Sequence, residues 1–571
     1  METSLLFSAL NHFARTIRGA VLLALLAGAL WPAASQTPAP QSPPPAAVRV
    51  TTRLVQLDAV VTDKQGHAVS DLKEGDFTLL ENGKPQKIAT FSLEQPFEKT
   101  RAPGAPPAAL PPDVYTNRPG ITSPAGPLTI LLLDALNTPQ ADQMYSRKKM
   151  LDYLETQLQP NQGTAILGLG SSLRLLQDFT SDPQLLRAAV RQYNGGKSRL
   201  TTEPGEKFEI TQASQSGIAG MAARRLQEFQ EELIRSQIDV RVETTLSALR
   251  AIARTAAGYP GRKILVWVSA AFPISLDASR SMGGIGQSRY YGLEIQRTTA
   301  LLADAQVAIY PVDARGLVGT TLSDASQHGL ENPGANGLNN DVLDSQASMR
   351  QLADETGGRA FFNRNDIDHA VATAAAEGAT FYQLGFYPEQ SAWDGKFHKL
   401  SVKILRPGLE VRHRRGYFAT DPLKWHDNNT KPEQDLANAL RSPVPATQLT
   451  FAARVVPHKV GKESIVDIQF AVYTDSVAFE QEQLPDQPDV RHHTVLNFVV
   501  IAVASDGKVA VDDSKTMETH FRAETLARVQ KEGIPFHMKL QVPPGHYQLH
   551  MGVRDERTGW VGTVNAPLDV Q

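Results

Sequence analysis

The chain holds no cysteine in 571 residues, which excludes disulfides, cysteine nucleophiles, thiolate zinc sites and iron–sulfur clusters together. It has almost no charge imbalance, −3 at neutral pH, so nothing draws it globally to nucleic acid, whose phosphates demand clustered positive charge. The apolar run Gly19–Trp31 stops at 13 residues, short of the ~18 that a membrane-spanning helix needs, and no other stretch approaches that length. His-Glu-x-x-His, a phosphate loop, Gly-x-Ser-x-Gly and Gly-x-Gly-x-x-Gly are all missing, which removes the common metalloprotease, nucleotide and serine-hydrolase signatures. What is present is 41% hydrophobic residues, enough for real cores in about three or four domains.

Arg15 and Arg18 precede the short apolar run, and Ala33-Ala34-Ser35 follows it. A basic flank, short apolar core and small residues at the cut site are the parts of a secretory signal peptide. Residues 1–35 therefore read as a leader, with a mature chain beginning near Gln36, exported to the periplasm or secreted, and without a transmembrane span after cleavage. A proline-rich spacer follows at 36–47. Val48 to about 95 reads as a small β domain, with β-branched stretches and an Asn82-Gly83 hairpin signal. Residues 96–127 carry eight prolines after Arg101 and read as a linker.

From Leu128 the pattern changes. Leu128–Asp134, Gly163–Gly170, Lys263–Ser269 and Val307–Asp313 are apolar runs separated by helical stretches, as expected for strands buried on both faces. Ser181-Asp182-Pro183 marks a helix start with serine as the cap. The expected fold class is α/β, a doubly wound, mostly parallel Rossmann-like sheet. It spans an α/β domain at 128–420 with a β extension, flanked by small N- and C-terminal β-sandwich-like domains. Residues 421–446 read as a linker and 447–571 as the second sandwich.

In such a sheet ligands sit at the carboxyl ends of the strands, which singles out Asp134, Ser269 and Asp313. The segment Leu132-Leu-Asp-Ala-Leu-Asn-Thr138 resembles the first strand and metal loop of von Willebrand factor A domains. Pro260–Ser269, Ile309–Gly316, Leu352–Arg359, Asp394-Gly-Lys-Phe-His398, Arg414–Phe418 and Val69–Phe77 resemble the exported von Willebrand factor A-related proteins of the acidobacterial type. The likeness covers roughly Val48 to Phe418. It implies a binding domain of Rossmann-like topology that grasps a protein or cell-surface partner, in many members through Mg²⁺ or another divalent cation.

The resemblance implies a metal set of Asp134, Thr138, Thr244 or Thr245, and Ser269, with Asn137 and Asp313 as rim candidates. The set is degenerate. Leu136 stands where the family places a serine, and Ser269-Ala-Ala-Phe-Pro273 lacks the aspartate of the fourth strand. One firm carboxylate with a few hydroxyls is a poor cage for an ion that wants six oxygens. The expectation is thus no cofactor, and Asp134 as a carboxylate taking hydrogen bonds from its own loop. His398, His413, His492, His493, His546 and His550 lie scattered on strands and loops, without chelating spacing.

Three functions remain in view: an exported interaction or adhesion module, a structural envelope component, and a hydrolase using Asp134 and Asp313. Acid–base chemistry needs paired groups with separated pKa values, and no motif supplies such a pair, so the chain reads as a non-enzyme.

Overall fold

The computed structural model describes residues 54–95, 110–119, 128–160, 162–195, 217–271, 292–317, 333–388, 394, 396–419, 432–460, 463–483 and 489–571. The leader at 1–35 and the spacer at 36–47 lie outside them. Alternating apolar side chains form β1 (Val55–Thr62) and β2 (Phe77–Glu81), followed by β3 (Lys84–Gln86) and β4 (Thr90–Glu94). The β2–β3 turn is Asn82-Gly83, with φ of 49° and 82°, the left-handed pair that a two-residue hairpin requires and these residue types tolerate. Inside the proline-rich segment lies β5 (Val114–Thr116).

Next come β6 (Leu128–Asp134), α1 (Gln140–Thr156), β7 (Thr164–Leu169), β8 (Leu173–Thr180) and α2 (Pro183–Gln192). They are followed by α3 (Gly217–Ala256), β9 (Lys263–Ser269), α4 (Gly292–Asp304), β10 (Val307–Asp313), α5 (Pro333–Thr356) and α6 (Ile367–Glu377). Every residue of β6, β7, β9 and β10 is buried, as unbroken apolar strands demand. The cap of α2 is Asp182, whose carboxylate accepts from Gln184 N, rather than Ser181. Phe361 adds an isolated parallel bridge to Val312. The sheet order is β10-β9-β6-β7-β8, with β8 antiparallel to β7. Trp267, Leu246, Leu249 and Leu302 fill the core on one face, and Tyr153, Leu186, Val190 and Val371 on the other.

β11 (Phe381–Phe386), β12 (Phe397–Ile404), β13 (Glu410–Arg412) and β14 (Gly416–Phe418) return to the beginning of the chain. They build two sheets, β13-β1-β11-β4 and β14-β12-β2-β3, around Leu57, Leu79, Tyr382, Phe386 and Leu400. The stretch expected to stand as a separate domain at 48–95 is therefore half of a sandwich, with the β extension as its other half. So short a segment cannot bury a core alone. The Asp394–His398 motif serves this sandwich: His398 bridges Glu81 (2.9 Å) and Asp394 (3.1 Å).

The remainder holds α7 (Pro432–Arg441), β15 (Phe451–Val460), β16 (Glu463–Val472), β17 (Glu480–Gln483), β18 (Val490–Ala504) and β19 (Val509–Phe521). It ends with α8 (Ala523–Glu532), β20 (Ile534–Gln541), β21 (Gly545–Asp555) and β22 (Val561–Val570). One sheet runs β20-β16-β15-β5, so the expected linker donates a strand. The other runs β17-β18-β21-β22, with β19 along β18. α7, inside the expected 421–446 linker, packs Leu436 and Leu440 against Val561.

The expected fold class is corrected by these pairings. Among the described residues four of the five sheets are wholly antiparallel and one is mixed, so they form a mostly antiparallel β structure and not a doubly wound parallel fold. Alternation of strand and helix is confined to the middle of the chain, while period-two strands, whose distant partners leave no local mark, dominate both sides of it. Among the described residues no helix is long and apolar enough to cross a membrane.

Candidate functional site

The chain leaves β6 towards β7 on one side and later returns to β9 on the other. A crevice opens at the carboxyl end of β6, where Asp134 is its last residue. Asp134 is 3% exposed. Its Oδ1 accepts from Asn137 N at 2.9 Å. Its Oδ2 accepts from Asn137 Nδ2 (2.9 Å), Trp267 Nε1 (3.1 Å) and Ser269 Oγ (2.8 Å). Burial pushes this carboxyl up from its ordinary range, and the four hydrogen bonds push back.

Asn137 is the second node. Its Nδ2 also donates to Thr245 Oγ1 (2.9 Å), and its Oδ1 accepts from Arg241 Nε (3.2 Å). Thr245 in turn donates to Arg241 O at 2.8 Å. Burial draws the Arg241 guanidinium down, and the Asp134 charge draws it back up. Thr138 Oγ1 accepts from Ala270 N at 3.1 Å, and Gln143 Nε2 donates to Thr138 O at 2.7 Å. Leu136 is wholly buried in the core. Thr244 is half-buried and takes no part in this network among the described residues.

The structure thus gathers Asp134, Asn137, Thr138, Thr245 and Ser269 at one point, and leaves out Thr244. Asp313 is closed separately by Arg315, whose N, Nε and Nη2 donate to it at 3.0, 2.9 and 2.7 Å. The donor set does not fit a magnesium ion. The Asp134 oxygens are filled by N–H and O–H donors, Thr138 accepts an amide, Thr245 donates to a carbonyl, and Arg241 supplies the positive charge.

Above Asp134 lies a cavity of about 330 Å³ between the end of β6, the start of α1 and the end of α2. Asp134 and Thr138 lie on its lining, with Gln143, Ser146 and Arg147 from α1 and Arg191 and Tyr193 from the end of α2. Tyr193 fits beside β7 because residue 168 is glycine; a Cβ there would come within 2.5 Å of the ring. Burial and the Asp134 charge push the Tyr193 phenol up to about 12, which keeps it a protonated donor at neutral pH. Arg147 Nη1 donates to Tyr193 O (3.0 Å) and Arg191 Nη2 to Glu155 (3.2 Å). Ser146 Oγ is buried and has no hydrogen-bond partner among the described residues. A buried hydroxyl without a partner costs ~1–3 kcal/mol, and this one borders the cavity.

Sequence reasoning missed Arg241, Trp267, Ser146, Arg147 and Tyr193. Arg241 and Thr245 stand four apart on α3, one helical turn, and that spacing is the one signal that links them. No signal joins α1 to the end of α2.

No family model matches this chain, and no curated protein matches it. Among solved structures it is similar to a von Willebrand factor type A protein from Catenulispora acidiphila, at 7% identity over 85% of this chain and 74% of that one, with a TM-score of 0.22. It is similar to the PilB minor pilin from Streptococcus sanguinis, at 11% identity over 44% of this chain and 60% of the pilin, with a TM-score of 0.23. It is also similar to an aerotolerance-related membrane protein from Bacteroides fragilis, at 10% identity over 44% of this chain and 98% of that one, TM-score 0.23. Likeness this slight identifies neither a family nor a function.

Proposed function

We propose that the chain is an exported binding module, not an enzyme, that holds an acidic segment of a protein partner in the cavity above Asp134 by direct contacts. The observation that carries this reading is the Ser146 hydroxyl, buried and without a partner among the described residues, on the lining of the same cavity as Arg147 and Arg191. Guanidinium groups recognise carboxylates by paired N–H donors, and Ser146 adds a neutral donor at the same place, with the Tyr193 phenol, which donates to Leu133 O at 3.5 Å, on the same lining. The Asp134 charge beneath is compensated by Arg241 and four hydrogen bonds, so it does not repel the incoming carboxylate at full strength. A hydrolase is disfavoured because the oxygens of Asp134 and Asp313 are already taken by donors. Export rests on the leader at 1–35 and belongs to the same proposal.

The test is fluorescence anisotropy of a labelled oligoglutamate peptide against the full exported chain in buffer with chelator. Saturable binding is expected, weakened at least ~10-fold by Arg147→Ala with Arg191→Ala, and less by Ser146→Ala. No binding by the wild type, or equal binding by the arginine variant, overturns the proposal.

A further inference from the structure

Far from the crevice, β17, β18 and β19 bring together a second cluster that the sequence scatters over some forty positions. Register sets His493 opposite His520 and Glu480 opposite His493, so Glu482, two residues on, shares their face. His493 Nδ1 lies 3.3 Å from Glu482 Oε1, and His520 Nε2 lies 3.3 Å from Glu482 Oε2. Ligand atoms of the three side chains all fall within 4.8 Å of one another. The other nitrogen of His493, Nε2, lies 3.1 Å from Glu518 Oε1.

We propose that Glu482, His493 and His520 form a binding site for a borderline divalent cation of the zinc type, with Glu518 positioning His493. Two imidazole nitrogens and one carboxylate, with a fourth position open, make a donor set that zinc takes up. In a tetrahedron with bonds of ~2.0–2.1 Å the ligand atoms stand ~3.3 Å apart, and each imidazole stands that far from one oxygen of Glu482, His493 from Oε1 and His520 from Oε2. Glu518 completes the carboxylate–histidine–metal arrangement that fixes which ring nitrogen keeps its proton and turns the other toward the ion.

The electrostatics favour the same assignment. A neutral imidazole donates from one nitrogen only, yet His493 meets a carboxylate at each. A cation at Nδ1 satisfies the second contact and leaves Nε2–H to Glu518. The His493 and His520 rings stack with centroids 4.3 Å apart and an 11° tilt, a parallel pairing that keeps both within reach of the one carboxylate. On the same face Glu480 is held by Arg557 at 2.6 Å and stays outside the set, while Arg491 stands opposite Glu482 in register. The binding is independent of the crevice and of any partner held there.

The experiment is isothermal calorimetry of Zn²⁺ alone with the full exported chain, together with the visible spectrum of the Co²⁺-substituted protein. One Zn²⁺ per chain and the absorption of tetrahedral Co²⁺ are expected. His493→Ala and His520→Ala should each weaken binding at least ~100-fold, and Glu518→Gln by ~10–100-fold as an outer partner does. His546→Ala, whose histidine pairs with Asp569 elsewhere, should leave binding unchanged. Thermal melts in chelator establish that the variants fold. Absence of saturable Zn²⁺ binding in the wild type, or its survival in the His493→Ala, His520→Ala double variant, overturns the proposal. Should a variant fail to fold, an octahedral Co²⁺ spectrum or none in the wild type overturns it equally.

Discussion

Trp267 Nε1 donates to Asp134 Oδ2 across 3.1 Å from the adjacent strand, which fastens the floor of the crevice to the middle of the sheet. The indole lies wholly in the core, and a buried N–H of this kind needs an acceptor. Asp134 therefore serves the packing of β9 as well as the loop that follows β6.

Replacing Asp134 should accordingly cost more than the loss of a simple cap. Asp134→Ala orphans donors on Asn137 and Trp267, while Ser269 Oγ keeps Ala271 O as an acceptor, and at ~1–3 kcal/mol for each group left unsatisfied, partly recovered by water, a loss of about 2–4 kcal/mol is expected. Asp134→Asn is the sharper probe. It relieves the burial of charge but turns an N–H toward other donors, so it too should destabilise, by about 1–3 kcal/mol. A urea midpoint that rises in Asp134→Asn would show that burial of the charge, not the hydrogen bonds, dominates at this position.

Lys263 supplies a pH-dependent prediction. Its ammonium donates to Tyr259 O at 2.8 Å, and burial draws its pKa from 10.5 down to about 7. Below about pH 7 both folded and unfolded chains carry this proton, and the cost of burying the charge is fully present. Between about 7 and 10.5 the unfolded chain binds more protons, so stability rises with pH by up to ~1.4 kcal/mol per unit. Urea midpoints of wild type and Lys263→Met, compared at about pH 7 and pH 9, should show the advantage of the variant shrinking at the higher pH. Parallel curves would contradict this assignment.

Asn117 ties the proline-rich segment to the C-terminal sandwich. Its Nδ2 donates to Ala446 O (2.7 Å) and Leu449 O (2.8 Å), and its Oδ1 accepts from Phe451 N (2.8 Å). Asn117→Ala should cost about 1–3 kcal/mol and open Val114–Thr116 to limited proteolysis, since a strand released from β15 becomes a cleavable segment. Wild type should resist cutting there. Equal resistance in both chains would show that β5 does not depend on Asn117.

The parts legible in the sequence are those written locally. The Asn82-Gly83 turn declares itself by residue type, and the apolar run Leu128–Asp134 declares a strand buried on both faces. What the sequence conceals is partner choice. Nothing near Val55 announces Phe386 as its neighbour, and nothing near Val114 announces Arg454, because strand pairing across hundreds of residues is decided by the joint burial of both faces. The same holds for the sites. Asp134 and Ser269 are read from strand ends, and Asn137, Thr138 and Thr245 from the family resemblance, whereas Arg241 and Trp267 join them only through packing. His493 and His520 look unrelated along the chain and become neighbours through the β18–β19 register.

With Asp134 closed by hydrogen bonds, the crevice is proposed to hold its partner without a cation. Its most direct test is calorimetric titration of Mg²⁺ into the His520→Ala chain, in which the other metal cluster is disabled. No saturable heat and an unchanged melting temperature are expected. One Mg²⁺ bound per chain, with a rise in melting temperature that disappears in the added Asp134→Ala variant, would contradict it; an ion at 100 times its dissociation constant stabilises a fold by ~2.7 kcal/mol, well within detection.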